Sequence, residues 1–378
     1  MRYRRMPIEV ESPEELGYGS ITNNLSESSV ADQRLSALGI EVNLDDLLLC
    51  YGDHRGHPDL RELIAGDRGR SEQGPARLSA GDVLVVPGAA AALFCVNTTV
   101  LQPGDHAVVI RTNYATNIET PLAIGADVTF VDLRFEDGYR LDVDRLAGMI
   151  RSDTKLVSLT NPHNPTGATM TREELEAVVD LVDRAGAVLL FDETYRELTW
   201  GEPLPMAASL SERAISVCSL SKAFGLPGLR LGWAVTADAT LFETLLAAKE
   251  QILICGSTID EAIGAEVLAG ARRLLDPVKQ RSRHHLDLVR QWIDGDDRFE
   301  WVEPGGGVVC FPRIRSHVDL NVDGFYDRLL DDFGTYVGPG HWFGTDRRNF
   351  RLGFGWPTTA ELEAGLKALS AAATAATG

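Results

Sequence analysis

Short apolar runs alternate with helical patterns between about residues 80 and 235. Helical patterns such as 89–101 and 171–185 lie between runs that are mostly continuous in Val, Leu and Ile, which is typical of strands buried on both faces. This alternation predicts an α/β fold with a mainly parallel sheet flanked by helices. Seven strands are predicted, at 83–86, 106–111, 128–132, 155–160, 187–192, 215–220 and 231–235.

The C-terminal part has a different pattern, which predicts a smaller α+β domain. A polar helical stretch at 278–293 follows Pro277, and a final helix is predicted at 359–374. Short strands are predicted at 307–312 and 350–354. We therefore expect an N-terminal segment (1–44) without clear periodicity, a large domain (45–277) and a small domain (278–378).

Composition and charge exclude several kinds of protein. The 36 basic and 55 acidic residues give a net charge of −19, which argues against nucleic acid and anionic membranes as partners. The absence of an apolar stretch behind the N-terminus and of a long apolar run predicts a cytoplasmic protein. Five scattered cysteines without Cys-x-x-Cys, and no His-Glu-x-x-His, predict no metal site.

The most informative stretch is Ser219-Leu-Ser-Lys-Ala-Phe-Gly-Leu-Pro-Gly-Leu-Arg230. Lys222 follows an apolar strand and enters a Gly/Pro-rich turn, where its amine could form a Schiff base with an aldehyde cofactor. Ser219, Ser221 and Arg230 could hold a phosphate by hydroxyl donors and a charge-assisted pair. For an isolated Ser-Leu-Ser-Lys, the alternative is a solvated lysine beside a helix N-cap serine.

Two further motifs follow predicted strands. The string Val86-Pro-Gly-Ala-Ala-Ala leads into a helix, so backbone N–H groups near Gly88, Ala89 and Ala90 could accept a phosphate. A simple strand–turn–helix is the alternative. Asp192 ends a buried strand, where a carboxylate is costly unless paired, and a protonated pyridine nitrogen could be its partner. A helix N-cap is the alternative for Asp192.

Three more side chains stand out. Two Asn-Pro pairs in Asn161-Pro-His-Asn164-Pro form a stiff turn that exposes the Asn164 amide. Arg351 lies inside an apolar run, and its planar guanidinium suits a substrate carboxylate. Its alternative is an arginine whose charged end reaches solvent. Tyr114 follows the 106–111 strand, and a core tyrosine is its alternative.

These strings, taken in order from Tyr51 to Gly355, resemble the class I/II aminotransferases of fold type I, which depend on pyridoxal phosphate (PLP). The resemblance implies transfer of the α-amino group of an L-amino acid to a 2-oxo acid, with Lys222 as the Schiff-base lysine. It also implies a homodimer whose Tyr51 reaches the phosphate in the neighbouring subunit, and an N-terminal segment that folds over the substrate. Further implied roles are ring stacking by Tyr114, hydrogen bonds to the phenolic oxygen by Asn164 and Tyr195, and binding of the substrate carboxylate by Arg351.

Two questions remain open at the level of sequence. The strings at 304–313 and 337–343 resemble the subgroup that contains capreomycidine synthase, which implies β-elimination and cyclisation of a hydroxylated arginine as an alternative to transamination. Glu27 is a candidate partner for a cationic substrate side chain, or else a solvated loop carboxylate.

Overall fold

The N-terminal segment contains only short elements. In the computed structural model, which describes residues 1–66, 77–201 and 203–377, this segment forms α1 (Pro7–Val10), α2 (Pro13–Leu16) and β1 (Asn23–Asn24). Strand β1 pairs in parallel with Thr335–Tyr336. This pairing attaches the N-terminal segment, at Asn23 and Asn24, to the C-terminal part of the chain.

A seven-stranded sheet forms the centre of the predicted large domain, and all seven predicted strands are confirmed to within one residue at each end. One strand runs antiparallel to both of its neighbours, and the other neighbouring pairs are parallel. The strands are β2 (Val83–Val86), β3 (His106–Arg111), β4 (Asp127–Asp132), β5 (Thr154–Thr160), β6 (Val188–Asp192), β7 (Ala214–Ser219) and the antiparallel β8 (Gly232–Val235). Their order across the sheet is β2–β8–β7–β6–β5–β3–β4.

Helices cover both faces of this sheet. They are α3 (Pro58–Ala65), α4 (Ala89–Val100), α5 (Ala115–Ile124), α6 (Val143–Met149), α7 (Arg172–Ala185), α8 (Ala207–Leu210), α9 (Ala239–Ile252) and α10 (Thr258–Ala269). Neighbouring residues of β3 point to opposite faces, so Val109 packs in the core with Leu93 of α4 while Val108 packs with Val178 of α7. Burial on both faces explains why the strands read as continuous apolar runs.

The ends of α7 show how local sequence sets a helix. Thr171 accepts a hydrogen bond from the Glu174 N–H, and the Glu174 carboxylate accepts one from the Thr171 N–H. Gly186 then ends the helix in the left-handed conformation, with φ of 69°. The two reciprocal bonds form a capping box, and the helix matches the pattern predicted at 171–185.

The C-terminal part of the chain, for which we predicted a small domain, contains short strands between three helices. The strands are β9 (Phe299–Glu300), β10 (Val309–Cys310), β11 (Arg313–Ile314), β12 (Thr335–Tyr336), β13 (Gly338–Pro339) and β14 (Phe350–Gly353), and the helices are α11 (Ala271–Gly295), α12 (Val322–Asp331) and α13 (Thr359–Ala376). The predicted start of α11 at residue 278 is wrong, because the helix begins at Ala271 and contains Pro277. Buried side chains on both sides of the proline, among them Leu275 and Val289, stabilise the helix despite the missing N–H. It therefore runs through the position where we expected the small domain to begin.

None of the helices in the described ranges has the length and apolar character needed to span a bilayer.

Candidate active site

A cavity with a volume of about 250 Å³ lies beyond the carboxyl ends of β5, β6 and β7, as expected for a ligand site in an open parallel sheet. The N-terminal segment and the small domain complete its walls. The structure brings twelve of the predicted site residues together here: Glu27, Ala89, Ala90, Tyr114, Asn164, Asp192, Tyr195, Ser219, Ser221, Lys222, Arg230 and Arg351.

Lys222 lies three residues beyond the end of β7, with its amine in the cavity. Its Nζ donates a hydrogen bond of 3.0 Å to the Ser28 hydroxyl oxygen. Burial lowers the pKa of Lys222, and the negative charge of Glu27 offsets part of this shift. A lowered pKa favours the neutral amine, which is the nucleophilic and basic form. Because the amine lies in the cavity and is bonded to Ser28, Lys222 is not a solvated surface lysine.

Asp192 ends β6 as a buried carboxylate that lines the cavity. Its Oδ1 accepts hydrogen bonds from the Thr194 N–H at 3.0 Å and from the Thr194 hydroxyl at 2.6 Å. Burial raises the pKa of Asp192, while these bonds lower it. The next helical turn is capped by Tyr195, so the N-cap alternative for Asp192 is wrong. A cation placed beside this carboxylate would compensate for its burial.

The start of α4 forms a corner rich in hydrogen-bond donors. Gly88 caps the helix with φ of 82°, and a Cβ on Gly232 would come within 2.6 Å of the Gly88 carbonyl carbon, so both positions need glycine. The Arg230 guanidinium lies beside this corner, donating to the carbonyl oxygens of Pro227 at 2.8 Å and Pro87 at 3.4 Å. The helix start, the guanidinium and the nearby Ser219 and Ser221 hydroxyls are the donor set that a phosphate requires.

Arg351 projects from β14 and is only 5% exposed, so the solvent-reaching alternative is wrong. Its Nη1 donates to Asn164 Oδ1 at 3.2 Å, and its Nη2 donates to the Ser26 carbonyl oxygen at 2.6 Å. Its Nε is buried without a hydrogen-bond partner among the described residues. Burial lowers the pKa of Arg351, so the guanidinium would be stabilised by an anion in the cavity.

The two predicted tyrosines differ in environment. Tyr114 caps α5 and is 40% exposed at the cavity, so it is not a core tyrosine. Tyr195 is buried and its hydroxyl donates to the Ser28 carbonyl oxygen at 2.8 Å. Burial raises the pKa of Tyr195 to about 12, which keeps this hydroxyl protonated as a donor.

Glu27 lines the cavity and is not a solvated loop carboxylate. Its Oε1 accepts hydrogen bonds from the Tyr18 hydroxyl at 3.3 Å and from Asn24 Nδ2 at 3.4 Å. Burial raises the pKa of Glu27, and the nearby charge of Lys222 lowers it. Glu14 of α2 lines the same cavity, so two carboxylates of the N-terminal segment face this space.

Sequence reasoning missed several contributors to the site. Ser28 accepts hydrogen bonds from both Lys222 and Tyr195, and Trp342 lines the cavity beside Arg351, whose guanidinium carbon is 5.9 Å from the centre of a Trp342 ring. The polar stretch at 20–29 has no periodicity that would indicate burial, yet Ser26 and Ser28 are buried. Only long-range contacts reveal their position.

Tyr51 does not lie with the other predicted residues. It is 79% exposed and does not line the cavity of its own chain as far as the structure describes that chain. The neighbouring Leu48 and Leu49 are 76% and 70% exposed. The contribution of Tyr51 to a partner's site stays a prediction.

The described parts of the chain contain no group of three or more His, Cys, Asp or Glu side chains arranged to hold a metal ion.

Comparison with known proteins relates this arrangement to one family. The sequence profile described as "Aminotransferase class I and II" matches residues 23–369. The capreomycidine synthase of Streptomyces vinaceus is 33% identical over 330 residues, which cover 86% of this chain and 82% of that protein. The arginine–pyruvate transaminase AruH of Pseudomonas aeruginosa is 32% identical over 326 residues, covering 83% and 81% of the two chains. The solved structure of the PLP-dependent cyclase OrfR is 29% identical, with a TM-score of 0.87 over 98% of this chain and 97% of that one.

Proposed function

This chain belongs to the class I and II aminotransferases, which depend on pyridoxal phosphate, and we propose that its amino donor is an amino acid with a cationic side chain, such as arginine. The observation that carries this proposal is the position of Glu27 on the cavity wall. Among the similar proteins, the arginine–pyruvate transaminase supports an arginine-like substrate.

The residues of the cavity fit the cofactor at each of its functional groups. Its phosphate would be held at the start of α4, by the N–H groups near Gly88, Ala89 and Ala90 together with Ser219, Ser221 and Arg230. Its ring would lie against Tyr114, with Asp192 beside the pyridine nitrogen, and its phenolic oxygen would face Asn164 and Tyr195. Lys222 would hold it covalently. When bound, the cofactor supplies an electron sink that stabilises negative charge at the substrate Cα.

The protein's part in the reaction is proton transfer and positioning. The Lys222 amine would act as the general base at the Cα proton, and its lowered pKa keeps a larger fraction of this amine neutral at neutral pH. Ser28 accepts a hydrogen bond from the same amine and would orient it. Arg351 would bind the α-carboxylate through its buried guanidinium, which fixes the substrate at one end.

A charge count over the cavity supports a cationic side chain. Each cation of the cavity is accounted for. Arg230 would pair with the cofactor phosphate and Arg351 with the substrate carboxylate, and Lys222 would be joined covalently to the cofactor. Asp192 is assigned to the pyridine nitrogen. Glu27 and the more exposed Glu14 are left over, and a half-buried carboxylate such as Glu27 favours a substrate cation.

Glu27 is held in position by Tyr18, whose ring packs on Trp356. The Tyr18 ring, which donates its hydroxyl to Glu27, stacks on Trp356 with 6.4 Å between ring centroids and 13° between planes. A carboxylate held by a stacked tyrosine loses little side-chain entropy when a ligand binds, which suits it to the recognition of one side chain.

We further propose that the enzyme is a homodimer with shared sites and works in the cytoplasm. Tyr51, Leu48 and Leu49 form an exposed apolar segment. The adjoining Gly52 lies near Thr258, since a Cβ on Gly52 would be 3.9 Å from the Thr258 methyl group, and Ile259, the next residue, is also exposed. Exposed apolar patches of this kind are typical of association surfaces. The five cysteines are free thiols, which supports a reducing compartment.

Cyclisation is the second candidate function, and the similarity to OrfR, a PLP-dependent cyclase, favours it. Transamination and cyclisation share the proton abstraction at Cα, so Lys222, Asp192 and Arg351 serve both. They differ in the need for an amino acceptor, because only transamination requires a 2-oxo acid to continue.

The substitution Glu27→Gln tests the proposed donor. We expect kcat/KM for arginine to fall by roughly 10- to 100-fold, since a charge-assisted hydrogen bond is replaced by a neutral one, with little change for a neutral donor such as norleucine. Glu363→Gln, an exposed position on α13, is the matched control and should change neither value. An unchanged ratio of arginine to norleucine in Glu27→Gln would refute Glu27 as the partner of a cationic donor, and the same result in Glu14→Gln/Glu27→Gln would refute the cationic donor itself.

A further inference from the structure

The loop of residues 53–57 follows Tyr51 and is held by three buried charged side chains, those of Arg61, Lys249 and Glu261. None of the three lines the described cavity, so the proposed reaction does not use them. Burying a charge is costly, and three such groups around five residues require a reason. We call this stretch the clamped loop.

Lys249 holds the middle of the clamped loop. Its side chain is completely buried in α9, and its Nζ donates to the His54 carbonyl oxygen. An ammonium directed at a backbone carbonyl, rather than at solvent, fixes the path of the main chain at that residue.

Glu261 of α10 holds the end of the loop. Its Oε2 accepts a hydrogen bond of 2.6 Å from the His57 N–H. Burial raises the pKa of Glu261 and lowers the pKa of Lys249, and each charge offsets part of the shift of the other. The two side chains therefore stabilise one another in their charged forms.

Arg61 of α3 holds the loop at two other points. Its Nε donates to the Gly56 carbonyl oxygen at 2.9 Å, and its Nη2 donates to Asp53 Oδ2 at 2.9 Å. Its Nη1 donates to the Ala80 carbonyl oxygen at 2.7 Å, which ties the loop to the residues before β2.

The clamped loop is also joined to the sheet. The Val85 N–H of β2 donates to the Arg55 carbonyl oxygen at 2.8 Å. Gly56 has φ of 109°, and a Cβ there would lie 2.4 Å from Val85 Cβ, so the backbone can approach β2 this closely only with glycine. Strand β2 leads to Gly88 at the start of α4, where the donors for the proposed phosphate lie. We call this place the phosphate corner. The clamped loop is therefore fixed to the strand that ends at the phosphate corner.

We propose that Lys249, Glu261 and Arg61 are positioning residues, which fix the clamped loop so that Tyr51 projects at a set angle into the cofactor site of the partner subunit. The proposal rests on the shared site proposed above. It explains why side chains far from their own cavity are buried and charged, since a rigid loop gives Tyr51 little freedom to lose when it binds in the partner.

Mixed dimers separate this role from a general effect on folding. A wild-type chain is paired with a Lys222→Ala/Lys249→Met chain, using two affinity tags, so that the only site with Lys222 receives Tyr51 from the altered loop. In the converse dimer, Lys222→Ala is paired with Lys249→Met, and the only site with Lys222 receives an intact loop. Cofactor affinity is measured by titration, following the visible absorbance band that requires Lys222.

We expect the first mixed dimer to bind the cofactor about tenfold more weakly than a reference dimer of wild type with Lys222→Ala, which corresponds to a lost hydrogen bond to a charged group. The converse dimer should match the reference. Glu261→Gln in place of Lys249→Met should give the same asymmetry to a smaller extent, and Lys367→Met, an exposed position on α13, should give none.

Three results would overturn the proposal. Normal affinity in the first mixed dimer would show that Lys249 does not position Tyr51. Equal weakening in both dimers would show a general effect on the fold. Normal affinity with Lys222→Ala/Tyr51→Phe in the altered chain would instead refute the shared site, and the clamp with it.

Discussion

The two walls of the cavity are built in different ways. The sheet wall follows the ends of strands and helices of the large domain and consists of Ala89, Asn164, Asp192, Ser219 and Lys222. The substrate wall comes from the N-terminal segment and the small domain and consists of Glu14, Glu27, Ser28, Trp342 and Arg351. Residues of the sheet wall are placed by local chain geometry, whereas contacts such as Arg351 to Ser26 join positions 325 residues apart.

The two walls therefore have different roles. The sheet wall serves the chemistry of the reaction, and the substrate wall determines which substrate is selected. The sheet wall faces the proposed cofactor, and a rigid parallel sheet is suited to hold it. The substrate wall consists of short elements that are free to differ between enzymes of one fold. Changes in the sheet wall should therefore abolish the reaction, and changes in the substrate wall should alter which substrate reacts.

The largest effect is expected for Lys222→Ala in the sheet wall. Turnover should fall by about 10⁴-fold, because the general base is lost, while the cofactor still binds at the phosphate corner. Lys155→Ala, at an exposed position of β5, is the matched control. Borohydride reduction of wild-type enzyme should leave a stable cofactor adduct on the Lys222 peptide, and an adduct on Lys155 or Lys249 would contradict the assignment.

A smaller effect is expected for Arg351→Lys in the substrate wall. The KM for amino donors should rise by roughly 10- to 100-fold, since lysine cannot reproduce the planar contacts of a guanidinium with a carboxylate. Cofactor affinity should stay within about twofold of wild type if the two walls act independently. Arg328→Lys, at an exposed position on α12, is the control. If Arg351→Lys lowered the affinity for the cofactor rather than for the amino donor, the separate roles of the two walls would be contradicted.

The same contrast explains which features could be predicted from sequence. Asp192 ends an apolar strand, and Lys222 and Asn164 lie three and four residues beyond the ends of two others, so the strand pattern and the local motif were sufficient to place them together. Ser28 could not be assigned, because a polar stretch without periodicity gives no sign that it will be buried against Lys222, 194 positions away. The role of Trp342 could not be assigned, because only the folded chain shows that it lies beside Arg351. The start of α11 was missed because packing around Leu275 outweighs the local effect of Pro277.

The most direct test of the account is a single-turnover experiment with arginine and no 2-oxo acid. An aminotransferase should form about one equivalent of the 2-oxo acid of arginine per site and then stop, leaving the cofactor as pyridoxamine phosphate, because each site keeps one amino group. Addition of pyruvate should restart turnover. The parallel assay with a hydroxyarginine, whose Cβ hydroxyl can leave as water, tests the alternative. Its continued turnover without any acceptor would contradict transamination and support elimination and cyclisation instead.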